Sequence, residues 1–396
     1  MTQSIYEPLI RHIKSLKPGV WGNEISEDTS KTAVLRVADF DYPKLSHKKP
    51  TTYRYITPQD LSQRTLKRGD VLIEKSGGGE KTPVGRAIIF SVNDELSTYA
   101  NFIDCIRFKD SVMPKYAVYV LAHMYSTRIN TKYIKQNTGI QNLDIKSYLR
   151  ELAPIYSEEQ QKRIVGYLDQ KTTKIDEAIT NKTKLIALLN EKWLSSKEAL
   201  FEKQSAERHK IKRYCISVVN KVTIQLNDTV DSNIIMLEDV ESWTGKVSKI
   251  SDNEAISGDL LQFSREDVLF SKLRPYLAKA IYVKQSGYCS GEFLVLRPGK
   301  KLHAEYLFHY LLSKKFIDKV NSATYGTKMP RASWDIVGNI EIPLPNYEEQ
   351  KRIAKDISEG NKKLYETINK IEESIKLLEE HRSSLITSVV TGKVEV

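Results

Sequence analysis

The chain has 396 residues, with 61 Lys and Arg against 50 Asp and Glu, and its formal net charge is +11. This length is enough for two or three domains that each bury a core. No stretch approaches the roughly 18 apolar residues of a membrane span, and no apolar signal segment opens the sequence, so we expect a cytoplasmic protein that does not bind membranes. Three widely spaced cysteines form no paired-cysteine metal pattern and suit a reducing compartment.

The first predicted domain, residues 1–156, consists of short strands broken by Gly, Asn and Asp, followed by a helix. The predicted strands are Ala33–Val37, Val71–Glu74 and Ala87–Ser91, and the predicted helix is Lys115–Tyr125.

A basic segment lies inside this domain. Between Tyr42 and Arg86 the chain has ten Lys and Arg residues against four Asp and Glu. The basic residues are Lys44, Lys48, Lys49, Arg54, Arg64, Lys67, Arg68, Lys75, Lys81 and Arg86. Such a segment, interleaved with tyrosines, suits a DNA phosphate backbone, because Lys and Arg supply most of the non-specific binding to DNA. A solvated surface that binds nothing explains the charge equally well.

A long helix is predicted next, over residues 157–204. Ser157 is a preferred N-cap residue, and Glu158 and Glu159 stand in the first turn, where the helix dipole favours carboxylates. Apolar residues then recur at alternating spacings of three and four, as in a coiled-coil seam. The seam residues are Leu168, Ile175, Ile179, Ile186, Leu189, Trp193 and Leu200.

A second domain, residues 205–345, repeats the skeleton of the first. The segment GDVLIEK at 69–75 corresponds to EDVLFSK at 266–272, and VGRAIIF at 84–90 corresponds to LAKAIYV at 277–283. The predicted strands are Ile234–Leu237, Asp267–Ser271, Ala280–Val283 and Phe293–Leu296, and the predicted helix is Ala304–Lys319. The loops between these segments differ, so two similar scaffolds are expected to present different surfaces.

The second long helix, predicted over residues 346–396, repeats the first. Its opening phrase YEEQKRI, Tyr347–Ile353, corresponds to EEQQKRI at Glu158–Ile164 and also follows a proline-marked strand end. The two apolar seams share one heptad frame. The second seam consists of Ile357, Leu364, Ile368, Ile371, Ile375, Leu378 and Leu385.

This repeat predicts an α+β fold in which two similar mixed α/β domains are separated by two long helices. The helices are expected to pair as an antiparallel coiled coil about an internal pseudo-twofold axis. Each helix of about 43 residues would be roughly 65 Å long, which favours a rod. Packing of each helix on its own neighbouring domain is the alternative explanation for the apolar stripes.

The sequence lacks the usual signatures of a catalytic site. The loop Ser76–Thr82 resembles a phosphate-binding loop, but Glu80 stands where that motif needs the glycine before its lysine. No GxGxxG or GxSxG motif is present, and no two histidines have metal-ligand spacing. A chain without catalytic residues or a metal is therefore expected.

Four phrases resemble the specificity subunit of a Type I restriction-modification system. They are EDVLFSKLRPYLAKAIYV at 266–283, GYCSGEFLVLRPGK at 287–300, PLPNYEEQKRIA at 343–354 and SLITSVVTGK at 384–393. The first domain departs from the family pattern, with GDVLIEKSGGGEKTPVGRAIIF at 69–90. The resemblance in domain order covers essentially the whole chain.

The resemblance implies a non-catalytic reader of double-stranded DNA. Each domain would read one half of an asymmetric, bipartite target, and the helices would set the spacer between the halves. Two modification subunits would dock on the helices and nearby surfaces, and restriction subunits would join that complex. S-adenosylmethionine would belong to the modification subunit, and this chain would carry no cofactor.

Two loops are expected to supply most DNA contacts in addition to the basic segment. In the second domain they carry Lys272, Arg274 and Tyr276, followed by Lys328 and Arg331. The corresponding segment NTGIQNL of the first domain carries Gln141 and Asn142, whose amides can pair with adenine, and Lys135 precedes it as a candidate phosphate contact. Ordinary surface polarity is the alternative for each residue.

Two other functions remain open at this stage. A structural coiled-coil scaffold would have no affinity for DNA, whereas an enzyme acting on nucleic acid would need an active site that the motifs do not reveal. Salt-dependent DNA binding distinguishes a reader from a scaffold.

Overall fold

The computed structural model describes residues 4–26, 30–91, 96–137, 139–202, 207–224, 233–247, 258–324 and 330–396. It divides into two compact units, which we call the first unit, Met1–Lys184 with Ile371–Val396, and the second unit, Leu185–Lys370. None of the helices in the described ranges is long and apolar enough to cross a membrane.

The helices are α1 Pro58–Arg64, α2 Pro114–Ser126, α3 Ile145–Tyr148, α4 Glu158–Glu202, α5 Ala304–Leu311, α6 Lys314–Ala323, α7 Trp334–Asn339 and α8 Tyr347–Val390. The strands before α4 are β1 Ile5–Pro8, β2 Ile13–Pro18, β3 Thr32–Leu35, β4 Phe40–Asp41, β5 Ser46–His47, β6 Tyr53–Arg54, β7 Val71–Glu74, β8 Ser76–Gly77, β9 Ala87–Ile89, β10 Ser97–Tyr99, β11 Ile103–Phe108, β12 Ile134–Asn137, β13 Ile140–Leu143 and β14 Leu152–Ile155. Those after it are β15 Arg208–Lys210, β16 Cys215–Val218, β17 Lys221–Ile224, β18 Asn233–Ile235, β19 Gly258–Phe263, β20 Val268–Ser271, β21 Ala280–Tyr282, β22 Gly287–Ser290, β23 Phe293–Pro298 and β24 Glu341–Pro343.

Each unit contains an antiparallel four-stranded sheet of the same order. The order is β2-β11-β7-β9 in the first unit and β16-β23-β20-β21 in the second. The same side-chain contact links the two middle strands in both sheets. Arg107 Nε on β11 donates to Asp70 Oδ1, just before β7, at 2.7 Å, and Arg297 Nε on β23 donates to Asp267 Oδ1, just before β20, at 2.7 Å. The repeat seen in the sequence is therefore a repeat of topology and of side-chain contacts.

The core of each unit joins its sheet, a helix and segments of the two long helices. In the first unit Val71, Tyr116, Leu168 and Val389 are buried in one cluster. Burial of such apolar side chains is the main stabilising contribution to the fold. The equivalent cluster of the second unit contains Phe201, Phe270, Tyr306 and Ile357.

The long helices begin where the sequence predicts. The Ser157 hydroxyl accepts from the Gln160 amide at 3.4 Å, and Asn346 Oδ1 accepts from the Glu349 amide at 2.9 Å. The helices have 45 and 44 residues. They pair antiparallel, so the prediction of an α+β fold with two β-rich domains and two paired helices is confirmed.

Different side chains connect α4 and α8 within each unit. In the first unit Arg382 Nε donates to Asp176 Oδ1 at 3.1 Å. In the second unit Trp193 Nε1 donates to Asn361 Oδ1 at 2.7 Å. All the predicted seam residues are buried or half-buried, with Leu168 and Ile357 fully buried and Ile371 half-buried. The helices therefore pack on their own units and on each other, so the two sequence-level explanations of the stripe both apply.

One segment that was predicted as a single helix forms two helices. The segment Ala304–Lys319 forms α5 and α6, separated at Leu312 and Ser313. The Ser313 hydroxyl accepts from the Phe316 amide at 3.2 Å, and this N-cap starts a new helix.

Candidate nucleic-acid interface

Two loops of the second unit meet at the end of β20. Leu273 and Arg331 form an antiparallel bridge. The Ala332 amide donates to the Lys272 carbonyl at 2.8 Å, and the Arg274 amide donates to the Pro330 carbonyl at 3.0 Å. The structure thus brings together the predicted residues from both loops. We call this set, Lys272, Arg274, Tyr276 and Arg331, the second edge.

The second edge is cationic and open to solvent. Arg274 and Arg331 are exposed, and Tyr276 is 46% exposed. Lys272 is more constrained, because its Nζ donates to the Gly291 carbonyl at 2.7 Å. Burial lowers the pKa of Lys272, and the nearby charge of Arg331 acts in the same direction. The backbone of Arg274 is left-handed, with φ of 46°, which turns the chain sharply at this point.

Lys328, predicted to contact DNA from the same loop, lies outside the described residues.

The first unit has the same arrangement at the end of β7. The Leu143 amide donates to the Lys75 carbonyl at 2.8 Å, as the Ala332 amide does to Lys272. Strand β13 pairs with β8, so that Asn142 lies opposite Ser76. It also pairs with β12, so that Asn142 lies opposite Lys135. We call Lys75, Lys135 and Asn142 the first edge.

The side chains of the first edge differ in chemistry from those of the second. Asn142 is exposed, and its Oδ1 accepts from the Ser76 hydroxyl at 2.6 Å. This bond leaves the side-chain NH2 group available to donate to another molecule. Lys135 Nζ is 3.6 Å from the Asp144 carboxylate, and its side chain is 77% exposed. Lys75 Nζ lies 3.7 Å from Asp104, a carboxyl whose pKa burial raises.

Gln141 is placed differently from its neighbour. Its side chain is buried at 7% exposure, and Oε1 accepts from the Val84 amide at 3.3 Å. This contact holds the glycine-rich loop that follows β8. The sequence suggested that Gln141 is exposed and contacts DNA, whereas the structure shows its side chain buried and bonded within the protein.

Arg86 also has internal partners. Its Nε and Nη2 donate to the two oxygens of buried Glu74 at 2.9 and 3.2 Å, and its guanidinium carbon is 4.2 Å from the centre of the Tyr42 ring. A buried carboxylate needs such a partner, since an unpaired buried charge is strongly destabilising. Arg86 therefore has a clear structural role.

The rest of the basic segment is spread over the first unit. Lys44 lines a cavity of about 520 Å³ beside α4 with Asp169 and Asp176, and no residue of the first edge lines that cavity. The Arg54 guanidinium lies 4.9 Å from the Trp21 ring centre. Lys48, Lys49 and Lys81 are exposed. The basic residues of the segment thus have different surroundings, and Lys75 is the one that we place in the first edge.

Two buried side chains that anchor the long helices to the domains were missed by sequence reasoning. The buried residues Gln161 and Gln350 bind the loops that precede α2 and α5 to the long helices. A signal was present, because both glutamines occupy the same place in the repeated phrase at the start of each helix. Among the described residues, no His, Cys, Asp and Glu side chains form a group that could hold a metal ion.

Comparisons with known proteins show which sequences this chain resembles. Residues 195–377 match the family described as Type I restriction modification DNA specificity domain. The chain is 24% identical over 305 residues to the Type I restriction enzyme MjaVIII specificity subunit of Methanocaldococcus jannaschii, a match that covers 69% of each chain. It is 27% identical to the EcoDI specificity subunit of Escherichia coli over 122 residues, which are 30% of this chain and 27% of that protein.

Solved structures resemble the whole chain. A chain from a study of complex assembly and conformational transition in the type I R-M system matches with a TM-score of 0.75 and 12% identity, over 100% of both chains. The HsdS subunit from Thermoanaerobacter tengcongensis matches with a TM-score of 0.55 and 13% identity, over 99% of this chain and 97% of that one. At these identities the likeness concerns the fold.

Proposed function

This chain belongs to the family of Type I restriction-modification DNA specificity subunits, and we propose that it reads a bipartite DNA target through the first and second edges. The family is non-catalytic and carries no cofactor. Each edge would read one half of the target, from within its own recognition domain, residues 1–156 or 205–345.

One observation carries this proposal: the same backbone framework presents different side chains in the two units. Lys75 and Lys272 occupy equivalent positions at strand ends, where their carbonyls accept from the Leu143 and Ala332 amides. The residue before that partner, which lies opposite the residue after the lysine, is Asn142 in the first unit and Arg331 in the second. A framework that only supported the helices would have no need of two differently equipped edges.

The chemistry of the two edges suits different bases. An Asn side chain pairs with adenine N6 and N7, and an Arg side chain pairs with guanine O6 and N7 in the major groove. Lysines beside them are suited to phosphate, which positions a protein on DNA without selecting sequence. We therefore assign base selection to Asn142 and Arg331 and backbone contacts to Lys75, Lys135 and Lys272.

The long helices would have two functions in the assembled complex. They would set the spacing between the half-sites and would provide docking surfaces for two modification subunits, which would bind S-adenosylmethionine. Restriction subunits would join this complex in the cytoplasm. These assignments follow from family membership, and the paired helices of the chain support them.

Methylation mapping in cells that carry the whole system tests the proposal. Asn142→Ala should relax one half-site and Arg331→Ala the other, with each losing roughly 1–3 kcal/mol of discrimination at a single position. The control variants Asn339→Ala and Arg265→Ala change the same residue types at exposed positions that belong to neither edge and to neither long helix. Wild-type methylation patterns in both edge variants would contradict the assignment.

A further inference from the structure

The second unit has an unprotected sheet edge, which is formed by an outer strand and is distinct from the residue set called the second edge. Strand β16 is the outer strand of the sheet β16-β23-β20-β21, and among the described residues no strand pairs with its other side. Ile216 on this strand is 60% exposed, and Val219 just beyond it is 70% exposed. An edge strand with apolar side chains and unpaired backbone groups is a template for another strand.

The equivalent edge of the first unit is protected. Strand β2 is also outermost, but its register with β11 shifts between Arg107 and Phe108. It carries Lys14 and Lys17, of which Lys14 is exposed. A β-bulge and lysines are two devices by which proteins prevent an edge from pairing. Strand β16 pairs regularly with β23 from Cys215 to Val218 and carries no lysine.

Four exposed cationic residues lie next to the beginning of β16. The Gly299 amide donates to the Tyr214 carbonyl at 2.7 Å, and this bond holds two basic dipeptides side by side. The cations are Lys212, Arg213, Lys300 and Lys301. They line a cleft of about 440 Å³, which Ile216 also lines. In the described part of the chain, none of the four forms an ion pair with a carboxylate.

The fold itself does not require these charges. In the first unit the Lys109 amide donates to the His12 carbonyl at 2.8 Å, in the place of the Gly299–Tyr214 bond. The residues that follow are Asp110 and Ser111 instead of two lysines, and the nearby Arg11 lies 3.7 Å from Glu7. The same backbone thus carries a nearly balanced charge in one unit, and in the other it carries four cations that have no carboxylate partner among the described residues.

The cations lie at the opposite end of the sheet from the second edge. Strand β23 follows Glu292, whose carbonyl accepts from the Lys272 amide, and ends at Pro298. Its six residues span about 20 Å at roughly 3.3 Å per residue. The cations are therefore about 20 Å along the strand from the residues to which we assign DNA reading. This step alone relies on the proposed function.

We propose that the free edge of β16 binds an extended, acidic segment of a partner protein as an added strand. Backbone hydrogen bonds would join the segment to β16, Ile216 and Val219 would contact its apolar side chains, and the four cations would pair with its carboxylates. The first unit lacks both the open edge and the charges. The partner therefore binds once per chain, although the fold is repeated.

Fluorescence anisotropy of the full chain with a labelled peptide of about eight alternating Glu and Val residues tests this proposal. The variant Lys300→Asp with Lys301→Ser copies the residues that the same turn carries in the first unit, so it should fold. We expect it to weaken peptide binding at least tenfold, a loss of about 1.4 kcal/mol. The control, Lys362→Asp with Lys363→Ser on α8, removes two adjacent exposed lysines and should bind the peptide as the wild type does.

Two further probes separate strand addition from simple charge attraction. The same peptide with alternate backbone nitrogens methylated keeps its charge but cannot pair with an edge, and it should not bind. Equal affinity for this peptide would overturn the proposal. Two other results would also overturn it. In the first, the wild type does not bind the peptide, and the Lys300 and Lys301 variant loses affinity for unrelated duplex DNA. In the second, the full chain forms a dimer that this variant abolishes. Unchanged target methylation by the variant would support a function separate from DNA reading.

Discussion

Gln161 and Gln350 make the same three hydrogen bonds in the two units. Gln161 Oε1 accepts from the Met113 amide at 2.8 Å, and its Nε2 donates to the carbonyls of Ser111 and Tyr156 at 2.9 and 2.8 Å. Gln350 bonds in the same way to the His303 amide and to two carbonyls. Both side chains are fully buried. A single side chain thus fixes the start of each long helix to the loop before a domain helix.

Replacing Gln161 by Leu should destabilise the first unit strongly. The change leaves the Met113 amide and two carbonyls without their partner, and each unsatisfied buried group costs roughly 1–3 kcal/mol. We expect a loss of at least about 3 kcal/mol in the free energy of unfolding, measured by urea titration. Gln160→Leu is the matched control, because Gln160 is half-buried and its side-chain Nε2 donates one hydrogen bond, to the Val396 carbonyl at 3.0 Å. Equal losses in the two variants would rule out the anchoring role.

The Trp193 ring packs against Gly360, where a Cβ atom would overlap it. Ala normally stabilises a helix by about 1 kcal/mol relative to Gly. Gly360→Ala should instead destabilise the second unit by about 1–3 kcal/mol, because the overlap displaces the indole and its bond to Asn361. In a Trp193→Ala background the same change should become stabilising. A double-mutant cycle by thermal denaturation measures this reversal.

Gly166 in α4 provides the control for that cycle. A Cβ atom there would meet nothing within 4 Å. Gly166→Ala should therefore stabilise the chain by about 1 kcal/mol in both backgrounds. If Gly360→Ala behaves like Gly166→Ala in the wild-type background, close packing at Trp193 is not what requires a glycine.

Lys197 gives the second unit a dependence on pH. It is 6% exposed, its Nζ donates to the Leu312 carbonyl at 3.2 Å, and burial lowers its pKa to about 8, while Glu198 acts in the opposite direction. Between pH 8 and about 10.4, the ordinary lysine pKa, the unfolded chain binds the proton that the folded chain has lost. Stability therefore rises with pH through this window, and the full penalty applies below pH 8.

Lys197→Met should remove that penalty. At pH 7 we expect the variant to be more stable than the wild type by about 2 kcal/mol, since one pKa unit corresponds to about 1.4 kcal/mol and the lost hydrogen bond offsets part of the gain. The difference between the two proteins should shrink as the pH rises towards 10. Chemical denaturation at a series of pH values measures it, and a constant difference would show that the buried charge is not responsible.

The length of the helices should set the spacer of the target. Adding one heptad after Leu188 and one after Leu377 lengthens each helix by about 10 Å, which corresponds to roughly three base pairs. Mapped methylation sites should keep both half-sites and gain that spacer. A heptad added to one helix only puts the seams out of register and should reduce methylation, which serves as the control. An unchanged spacer with both insertions would refute the ruler.

The sequence by itself determined the repeat, the long helices and their starting residues. Periodicity and N-capping depend on neighbours within a few residues, so Ser157 and Asn346 could be identified without a fold. The shared phrases also revealed that two similar domains carry different loops. The exposure of Arg274 and Arg331 could be predicted because both residues lie in those loops.

Only the tertiary structure decided which polar side chains are available at the surface. Gln141 and Asn142 are adjacent in the sequence and chemically alike, but alternation along β13 buries the first and exposes the second. Arg86 looks like its basic neighbours until buried Glu74 is found beside it. The positions of β2 and β16 as outermost strands likewise depend on the sheet order, and the bulge beside β2 depends on its register with β11. These properties arise from partners that are distant in the sequence, and no local pattern specifies them.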